Sequence, residues 1–497
     1  MSNIRSLAAA LPIAALLGAT PAFAADVTQA QAQDLEGQLR GWMAGLVAPA
    51  VDVGARPVRV SADGDHYRIE VPAPEIMSKS GILEPGLSIS VNAHPLDGGR
   101  WSIDDLRLPS PLRMHIPTPA DTTKPAAPGV PAKPDSFVQE LAVDKVESHG
   151  IFDPSFATTS SLDLTQTGYR FISPMQTITV ARQSGHTALQ PSGDGRVNLI
   201  SESTGTQLSA QVNVTDMPPV TYSAATIRSS GHITNLAPAT LATLIRTIAA
   251  FAPMAKDMDK SDAPTPEQRR LAHTALAALA NTVTSFDQSV TLEGVKFGAM
   301  GQEATLRRAA FGTDFGAPDG KYSLGVSIEL EGLDTAAVPP GVLRDYLPRK
   351  ITLKPRVGGF STRDANRLLG NAIDADPKAI GAVQADALAT LANNPVEFSI
   401  DDLVIDLGLA SVAANGSITV SAPDDVTGEA EITAKGLDAL IKRANTAPEL
   451  KQIAPALFFL KGIAKQDGED YVWQINYDKT GVTVNDTDIS DMIGQKK

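Results

Sequence analysis

Residues 470–484, DYVWQINYDKTGVTV, decide how the C-terminal part of this chain folds. Tyr471, Trp473, Ile475 and Tyr477 take every second place, with Val472, Gln474 and Asn476 between them. A period of two puts the four large side chains on one face of a β-strand. Thr480-Gly481 then turns the chain into Val482–Val484, which closes a hairpin. Just upstream the period changes. After Gly436 comes a helical pair, in which Leu450, Ile453, Leu457 and Leu460 give the second helix an inner face, widened by Phe458 and Phe459. Leu437, Leu440, Leu457 and Leu460 are therefore expected to pack on the sheet face that carries Trp473 and Ile475.

The same grammar extends toward the N-terminus. Leu403–Leu409, Ala414–Val420 and Gly428–Ala434 read as strands that end in Gly436-Leu437-Asp438. Val290–Phe297, Thr305–Phe311 and Tyr322–Leu330 read as strands that end in the matching triplet Gly332-Leu333-Asp334. Ser361 and Asp364 bracket a helix start, with Leu368 and Leu369 on its buried face. Asp376 caps another helix with Pro377 at its first position. Ile380, Val383, Ala387, Leu388 and Leu391 form its stripe, and Asn394-Pro395 stops it.

Earlier still, Leu141–Ile233 is mostly β, with segments at Ser161–Leu164, Thr177–Val180, Arg196–Ile200 and Gln207–Val214. Two helices follow. Leu241, Leu244, Ile245, Ile248 and Phe251 mark the first. Thr265, Pro266 and Gln268 form a capping box at the start of the second, whose buried face is Leu271, Ala275, Leu279, Val283 and Phe286. Pro117–Asp135 contains six prolines among Ala, Thr and Lys, and reads as a linker or long loop. Before it lie a helix with Leu35, Leu39, Trp42, Met43 and Leu46 on one stripe, then short strands at Val58–Val60, His66–Val71, Leu87–Val91 and Trp101–Leu108. Turns are expected at Ala62–Asp65 and at Asp97-Gly98-Gly99.

The first residues carry an address. Arg5 precedes an apolar run, Leu7–Leu17, and Ala22-Phe23-Ala24 has the small-x-small form of a signal-peptide cleavage site. Export to the periplasm or beyond is expected, with no lipid anchor because the chain has no Cys. Removing this segment takes away Arg5 and no acid, so the mature chain is one unit more negative than −14. That charge argues against a nucleic-acid partner. Anionic lipid headgroups are repelled on average, although a local basic patch can still form. The apolar stretch Leu236–Met254 is interrupted by Pro238 and Arg246 and reads as a buried helix, leaving no integral span after cleavage.

Catalytic and metal signatures are missing. The seven histidines, His66, His94, His115, His149, His186, His232 and His273, stand in no ligand spacing. There is no G-x-S-x-G elbow. Gly316–Lys321 is one residue short of a phosphate-binding loop and reads as a turn at Pro318-Asp319-Gly320. The acidic pairs Asp104-Asp105, Asp401-Asp402 and Asp424-Asp425 are expected in turns. Asp486, Asp488 and Asp491 lack the glycine and the final Glu of a calcium loop. No cofactor and no catalytic residue is expected.

Gly428–Ile489 resembles an exported family of Gram-negative bacteria that is known only as a domain of unknown function. The likeness lies in Gly436-Leu437-Asp438-Ala439-Leu440-Ile441, in Phe459-Leu460 and in Thr483-Val484-Asn485. Relatives often end the last strand in Asn-Gly, whereas Asp486 follows Asn485 here. A more distant similarity is to AsmA-type envelope proteins, whose long curved sheets enclose an apolar groove. The resemblance implies twisted antiparallel sheets with helices on one face and carries over no catalytic residue.

Together these features describe an α+β protein built of repeated antiparallel sheet units. Its segments are a signal peptide (1–24), a helix and small sheet (25–116), the Pro-rich loop (117–135), a β-rich unit with two helices (136–285), and two sheet-and-helix units (286–395 and 396–497). The expected role is non-enzymatic: holding a lipid or other apolar ligand on an apolar face marked by Leu437, Leu440, Leu457, Leu460, Trp473 and Ile475. The alternatives are a structural or scaffolding envelope protein with no small ligand, whose sheet faces are simply packed, and a hydrolase with dispersed catalytic residues; the expected partners are a lipid or other apolar ligand, or another envelope protein.

Overall fold

The computed structural model describes residues 27–47, 58–72, 87–97, 100–117, 136–153, 158–213, 217–251, 264–282, 284–338, 341–375, 380–422 and 425–490. The expected signal peptide, the turn glycines 98–99, most of the Pro-rich segment, the cap at Asp376-Pro377, Val283, Asp424 and Asp491 lie outside these residues. Every described strand pairing is antiparallel, and helices are a minority of the fold. The chain divides into two units, one up to residue 283 and one from residue 284.

In the first unit, helix α1 (Gln29–Val47) lies against the hairpin β1 (Arg59–Asp63) and β2 (His66–Pro72). Its start is fixed by a reciprocal cap. Thr28 N donates to Gln31 Oε1 at 3.2 Å, and Gln31 N donates to Thr28 Oγ1 at 3.3 Å. Ala32, Leu35 and Leu39 bury themselves in a core with Tyr67 and Ile69, and with Trp101, Ile103 and Phe152 from farther along the sheet. That sheet continues through β3 (Ser88–Pro95), β4 (Trp101–Arg107) and β7 (Lys145–Asp153), with β5 (Leu112–Pro117) and β6 (Ser136–Ala142) paired between them in sequence. Pro117 and Ser136, which flank the Pro-rich segment, are register partners, so that segment connects two paired strands.

Four long strands follow: β8 (Thr158–Ile172), β9 (Gln176–Gly193), β10 (Arg196–Val212) and β11 (Val220–Leu236). The sequence showed only short pieces of them. Arg196–Ile200 and Gln207–Val214 belong largely to the single strand β10. The intervening residues are Ser, Thr, Gly and Glu, whose period-two contrast is weak, yet their backbones complete the ladder. Helices α2 (Pro238–Phe251) and α3 (Pro266–Thr282) close the unit. The expected capping box is present, with Thr265 N donating to Gln268 Oε1 at 2.7 Å and Gln268 N to Thr265 Oγ1 at 3.2 Å. The buried face of α3 differs from expectation. Leu271, Ala278 and Thr282 are buried, Leu279 is 60% exposed, and Phe286 belongs to the next strand.

The second unit is a meander. Strands β12 (Ser285–Ala299), β13 (Gln302–Gly316) and β14 (Lys321–Glu331) are followed by the two-residue β15 (Asp334–Thr335) and by β16 (Lys350–Ser361). The turn between β13 and β14 is the expected one at Pro318–Gly320, with Asp319 at φ 52° and Gly320 at φ 72°. Helices α4 (Thr362–Asp374) and α5 (Ile380–Asn393) then precede β17 (Val396–Asp406), which pairs directly with β16. Ser361 Oγ accepts from Asp364 N, as its spacing predicts. Leu369 and Leu388, expected to be buried, are each 52% exposed. These helices spend much of their polar surface on each other, since Arg367 reaches both Asp386 and Thr390.

The meander ends with β18 (Ser411–Ala422), β19 (Asp425–Lys435), helices α6 (Leu437–Thr446) and α7 (Ala454–Ile463), then β20 (Lys465–Asp467), β21 (Asp470–Asp478), β22 (Gly481–Val484) and β23 (Thr487–Asp488). Gly436, at φ 71°, makes the break from β19 to α6. A Cβ there would stand 2.4 Å from Leu409 O, so no other residue fits without movement. Gly332 of the earlier triplet also has a positive φ, 67°, but a two-residue strand rather than a helix follows it closely.

Candidate functional site

The register of the second unit sorts its side chains onto two unlike faces. One row runs Phe286, Phe315, Leu324, Val357, Phe398, Ile418, Gly428 and Tyr477. A second runs Val290, Phe311, Ile328, Leu353, Leu403, Ala414, Ile432 and Trp473. A third runs Leu292, Ala309, Leu330, Ile351, Ile405, Val412, Ala434 and Tyr471. Each row crosses eight strands without a charged residue. Alternation within each strand, repeated in register, produces this continuous apolar surface.

Its cover is unequal. At the end of the second and third rows, Leu437 and Ile441 of α6 are buried with Ala434, Tyr471, Trp473 and Val484. Leu440, Leu457 and Ile475 pack against that cluster while remaining partly exposed. Trp473 Nε1 donates to Leu460 O at 3.0 Å, and Tyr471 Oη donates to Asp438 Oδ2 at 2.8 Å. Lys461 also binds Asp438, and its ammonium stands 5.2 Å from the Tyr471 ring centroid. These partners, Lys461 first, hold the Asp438 carboxyl below its ordinary range. Of the six residues singled out from the sequence, Leu437, Leu440, Leu457, Trp473 and Ile475 thus meet in one packed cluster. Leu460 contributes its carbonyl to it, but its side chain is 43% exposed. The expected inner face of α7 is corrected further: Ile453, Phe458 and Phe459 also stand out in water, and Ala454 is buried.

Away from α6 and α7 the apolar face is open. Phe311, Leu324, Phe398, Ile400 and Ile418 are between 39% and 52% exposed. These residues were not singled out in the sequence. Each strand's alternation was visible there, but not the register that aligns one strand with the next.

The opposite face is charged and internally paired. Arg356 Nη1 donates to Asp314 Oδ1 at 2.7 Å, and its Nε to Asp401 Oδ2 at 2.8 Å. Lys354 stands 3.1 Å from Asp402, and Glu329 binds Arg308 at 2.7 Å and Lys350 at 2.6 Å. Lys350 first, then Arg308, draws the Glu329 carboxyl below its ordinary value; Arg356 and Ser399 do the same for Asp401. The acidic pair expected in a turn sits within β17, where the register shifts between Lys354 and Pro355. This bulge lets neighbouring carboxylates reach cations on the same side. Asp104 and Asp105 likewise lie in β4, with Asp105 at φ 51°.

The first unit contains a polar row of its own. The His66 and His94 rings are 5.3 Å apart, and His94 Nε2 lies 3.2 Å from Asp104. Across the adjoining strands Asp104 is the partner of His149, His149 of Asp163, and Asp163 of His186, with a His186–Asp163 contact of 2.8 Å. Four of the scattered histidines therefore share a sheet face. Among the described residues, no group of three or more His, Cys, Asp or Glu is placed to hold a metal ion. A cavity of about 400 Å³ lies between α1 and the first hairpin, lined by Glu36, Arg40, Arg59, Arg68 and Glu70 among others. No described helix is long and apolar enough to cross a membrane.

The family model described as an uncharacterized protein conserved in bacteria (DUF2125) matches residues 271–478. The match covers every strand that contributes to the three apolar rows. No curated protein matches the chain.

Proposed function

We propose that the chain is a non-enzymatic protein of the cell envelope that holds the hydrocarbon part of a lipid against the apolar face of its second unit. One observation carries this reading. Three uncharged rows cross eight strands, and large side chains on them remain about half exposed. Soluble proteins seldom leave so continuous an apolar surface in water without a use for it. An acyl chain suits such a face because it needs area and dispersion contacts but no directional hydrogen bonds. The polar groups that would orient a headgroup lie at the covered end, where Asp438, Lys461 and Tyr471 are already joined.

Two sequence features support the setting. The start of the chain has the form of an exported protein's leader. The distant resemblance to AsmA-type envelope proteins expected from the sequence would imply an apolar groove along a curved sheet in the same setting. Residues 271–478, matched by the family model, include every strand of the three rows.

The test is native mass spectrometry of the protein purified from its own envelope, followed by thermal melts of the delipidated form. The expected result is a retained lipid mass. Fatty acid or lysophospholipid at a hundredfold excess over the dissociation constant should then add about 2.7 kcal/mol of stability. Bare protein mass and no thermal shift with either ligand would refute the reading and leave a protein partner as the occupant of the face.

A further inference from the structure

We propose that the helix pair α4–α5 is a hinged cover that closes over the open end of the apolar face. The pair is an insertion. β16 and β17 are direct neighbours, with Gly358 the register partner of Glu397, and residues 362–394 leave the sheet and return to it beside the point of departure. The base is narrow. Gly359, at φ 93°, lies so near Pro395 that a Cβ would stand 2.6 Å from its carbonyl oxygen. Ser361-Thr362 and Asn394-Pro395 are the element ends about which such an insertion turns. Above the base the pair holds itself together. Arg367 donates to Asp386 at 2.7 Å and also binds Thr390, and Asn371 Nδ2 donates to Asp386 at 3.0 Å. Yet it buries little. No residue of α4 is buried, and among the described residues of α5 only Thr390 is. Leu369 and Leu388 are each 52% exposed. Short helices draw most of their stability from an apolar side packed on the fold, and here that side is not used.

The first apolar row lies within reach. Val357, Phe398 and Ile418 are successive register partners in it, and Phe398 and Ile418 are 52% and 49% exposed. Leu388 stands six residues before Asn394, about 9 Å along a helix, and Phe398 stands three residues after Pro395, about 10 Å along a strand. Leu369 is seven residues past Thr362, again about 10 Å from the base. Folding the pair down about its base therefore sets both leucines level with the row. The same unit contains an element of this kind already lying down. α6 and α7 are inserted after β19, which pairs directly with β21, and they bury Leu437 and Ile441 against Ala434 and Trp473. Because β16, β17, β18 and β19 alternate in direction, the end of β16 and the end of β19 are opposite ends of the sheet. One helix pair thus covers the third row, and the other joins the sheet beside the uncovered first row. The purpose of closing, to keep water from a bound acyl chain, rests on the lipid reading above; the movement itself does not.

The test is pulsed electron spin resonance on the full chain. Because the chain has no Cys, spin labels go only where Cys is introduced. Gln384→Cys on α5 and Asn415→Cys on β18, both exposed positions, report the separation between the helix pair and the sheet. Two separations are expected in the free protein, differing by about 10 Å, the length from the base to Leu388. The shorter should dominate at saturating palmitate. Leu369→Ser/Leu388→Ser should lower the ratio of short to long by about tenfold, with the melting temperature unchanged, because both side chains are already half in water. If that variant does not fold, Phe398→Asp carries the test from the receiving row and should lower the ratio to a similar extent. A single separation that palmitate does not shift, or an undiminished ratio in either folded variant, would overturn the cover. Palmitate that raises the melting temperature without moving the labels would do the same while leaving the lipid reading in place. Two separations in a protein that binds no palmitate would uphold the cover and refute the lipid reading.

Discussion

Replacing Phe398 by Asp tests directly whether the sheet face is open. Phe398 lies in the middle of a row, between Val357 and Ile418, and is 52% exposed. A phenylalanine side chain presents roughly 200 Å², so about 100 Å² is removed from water here. At about 25 cal/mol per Å² that area contributes roughly 2.5 kcal/mol. An Asp at the same place would still reach solvent, so it adds little desolvation penalty. The expected loss is therefore about 2–3 kcal/mol. Leu437→Asp is the contrast. Leu437 is 5% exposed within the cluster that holds Tyr471 and Trp473. There the loss of a buried leucine, about 2–5 kcal/mol, is joined by the cost of an unpaired buried carboxylate. Urea unfolding followed by circular dichroism measures both. Similar losses above about 5 kcal/mol for the two variants would show that Phe398 is covered, and the open-face reasoning would fail.

Three further expectations follow from particular residues. Gly436→Ala should cost about 2 kcal/mol or more, because it adds a Cβ 2.4 Å from Leu409 O at φ 71°; Gly462→Ala, with nothing within 4 Å, should be neutral or stabilising by up to about 1 kcal/mol, and equal effects in denaturant melts would contradict this. The carboxyls of Glu329 and Asp401 are drawn below their ordinary values of 4.5 and 3.8, so they stabilise the fold above those values and lose that contribution as pH falls through the lower folded values. The urea midpoint should therefore hold from pH 7 to about 5 and decline below about 4.5, less steeply in Glu329→Gln; an unchanged slope in that variant would remove Glu329 from the explanation. Intact-mass analysis of exported protein should find Ala25 as the first residue, and a membrane-retained full-length product would contradict the expected cleavage after Ala24.

Much of the second unit was legible because its strands contrast strongly from one side to the other. Tyr471, Trp473, Ile475 and Tyr477 set an unmistakable period of two, and their strand lies where that period puts it. Caps were equally local signals, and Thr265 with Gln268 and Ser361 with Asp364 form the expected hydrogen bonds. Strand length in the first unit was harder to read. Ser201, Ser203, Gly205 and their neighbours offer little contrast between faces, so a 17-residue strand resembled two short ones.

Helix faces were misread for a different reason. The sequence shows which side of a helix is apolar, but not whether anything lies against it. Leu279, Leu369, Leu388, Phe458 and Phe459 occupy apolar stripes and are all more than half exposed. The open sheet face was hidden by a related limit. Phe311 and Phe398 stand far apart in sequence, and only the register through β14, β16 and β17 shows that they belong to one surface. The bulge that brings Asp401 and Asp402 to Arg356 and Lys354 also depends on a cross-strand shift.

The most direct measurement of the central claim is photo-crosslinking with a diazirine-bearing fatty acid, mapped by peptide mass spectrometry. The account predicts labels on the open rows, at residues such as Phe311, Leu324, Phe398 and Ile418, and their loss in Phe398→Asp. Labels confined to the charged face around Arg308, Lys350 and Lys354, or the same labelling in Phe398→Asp as in the unaltered protein, would contradict it.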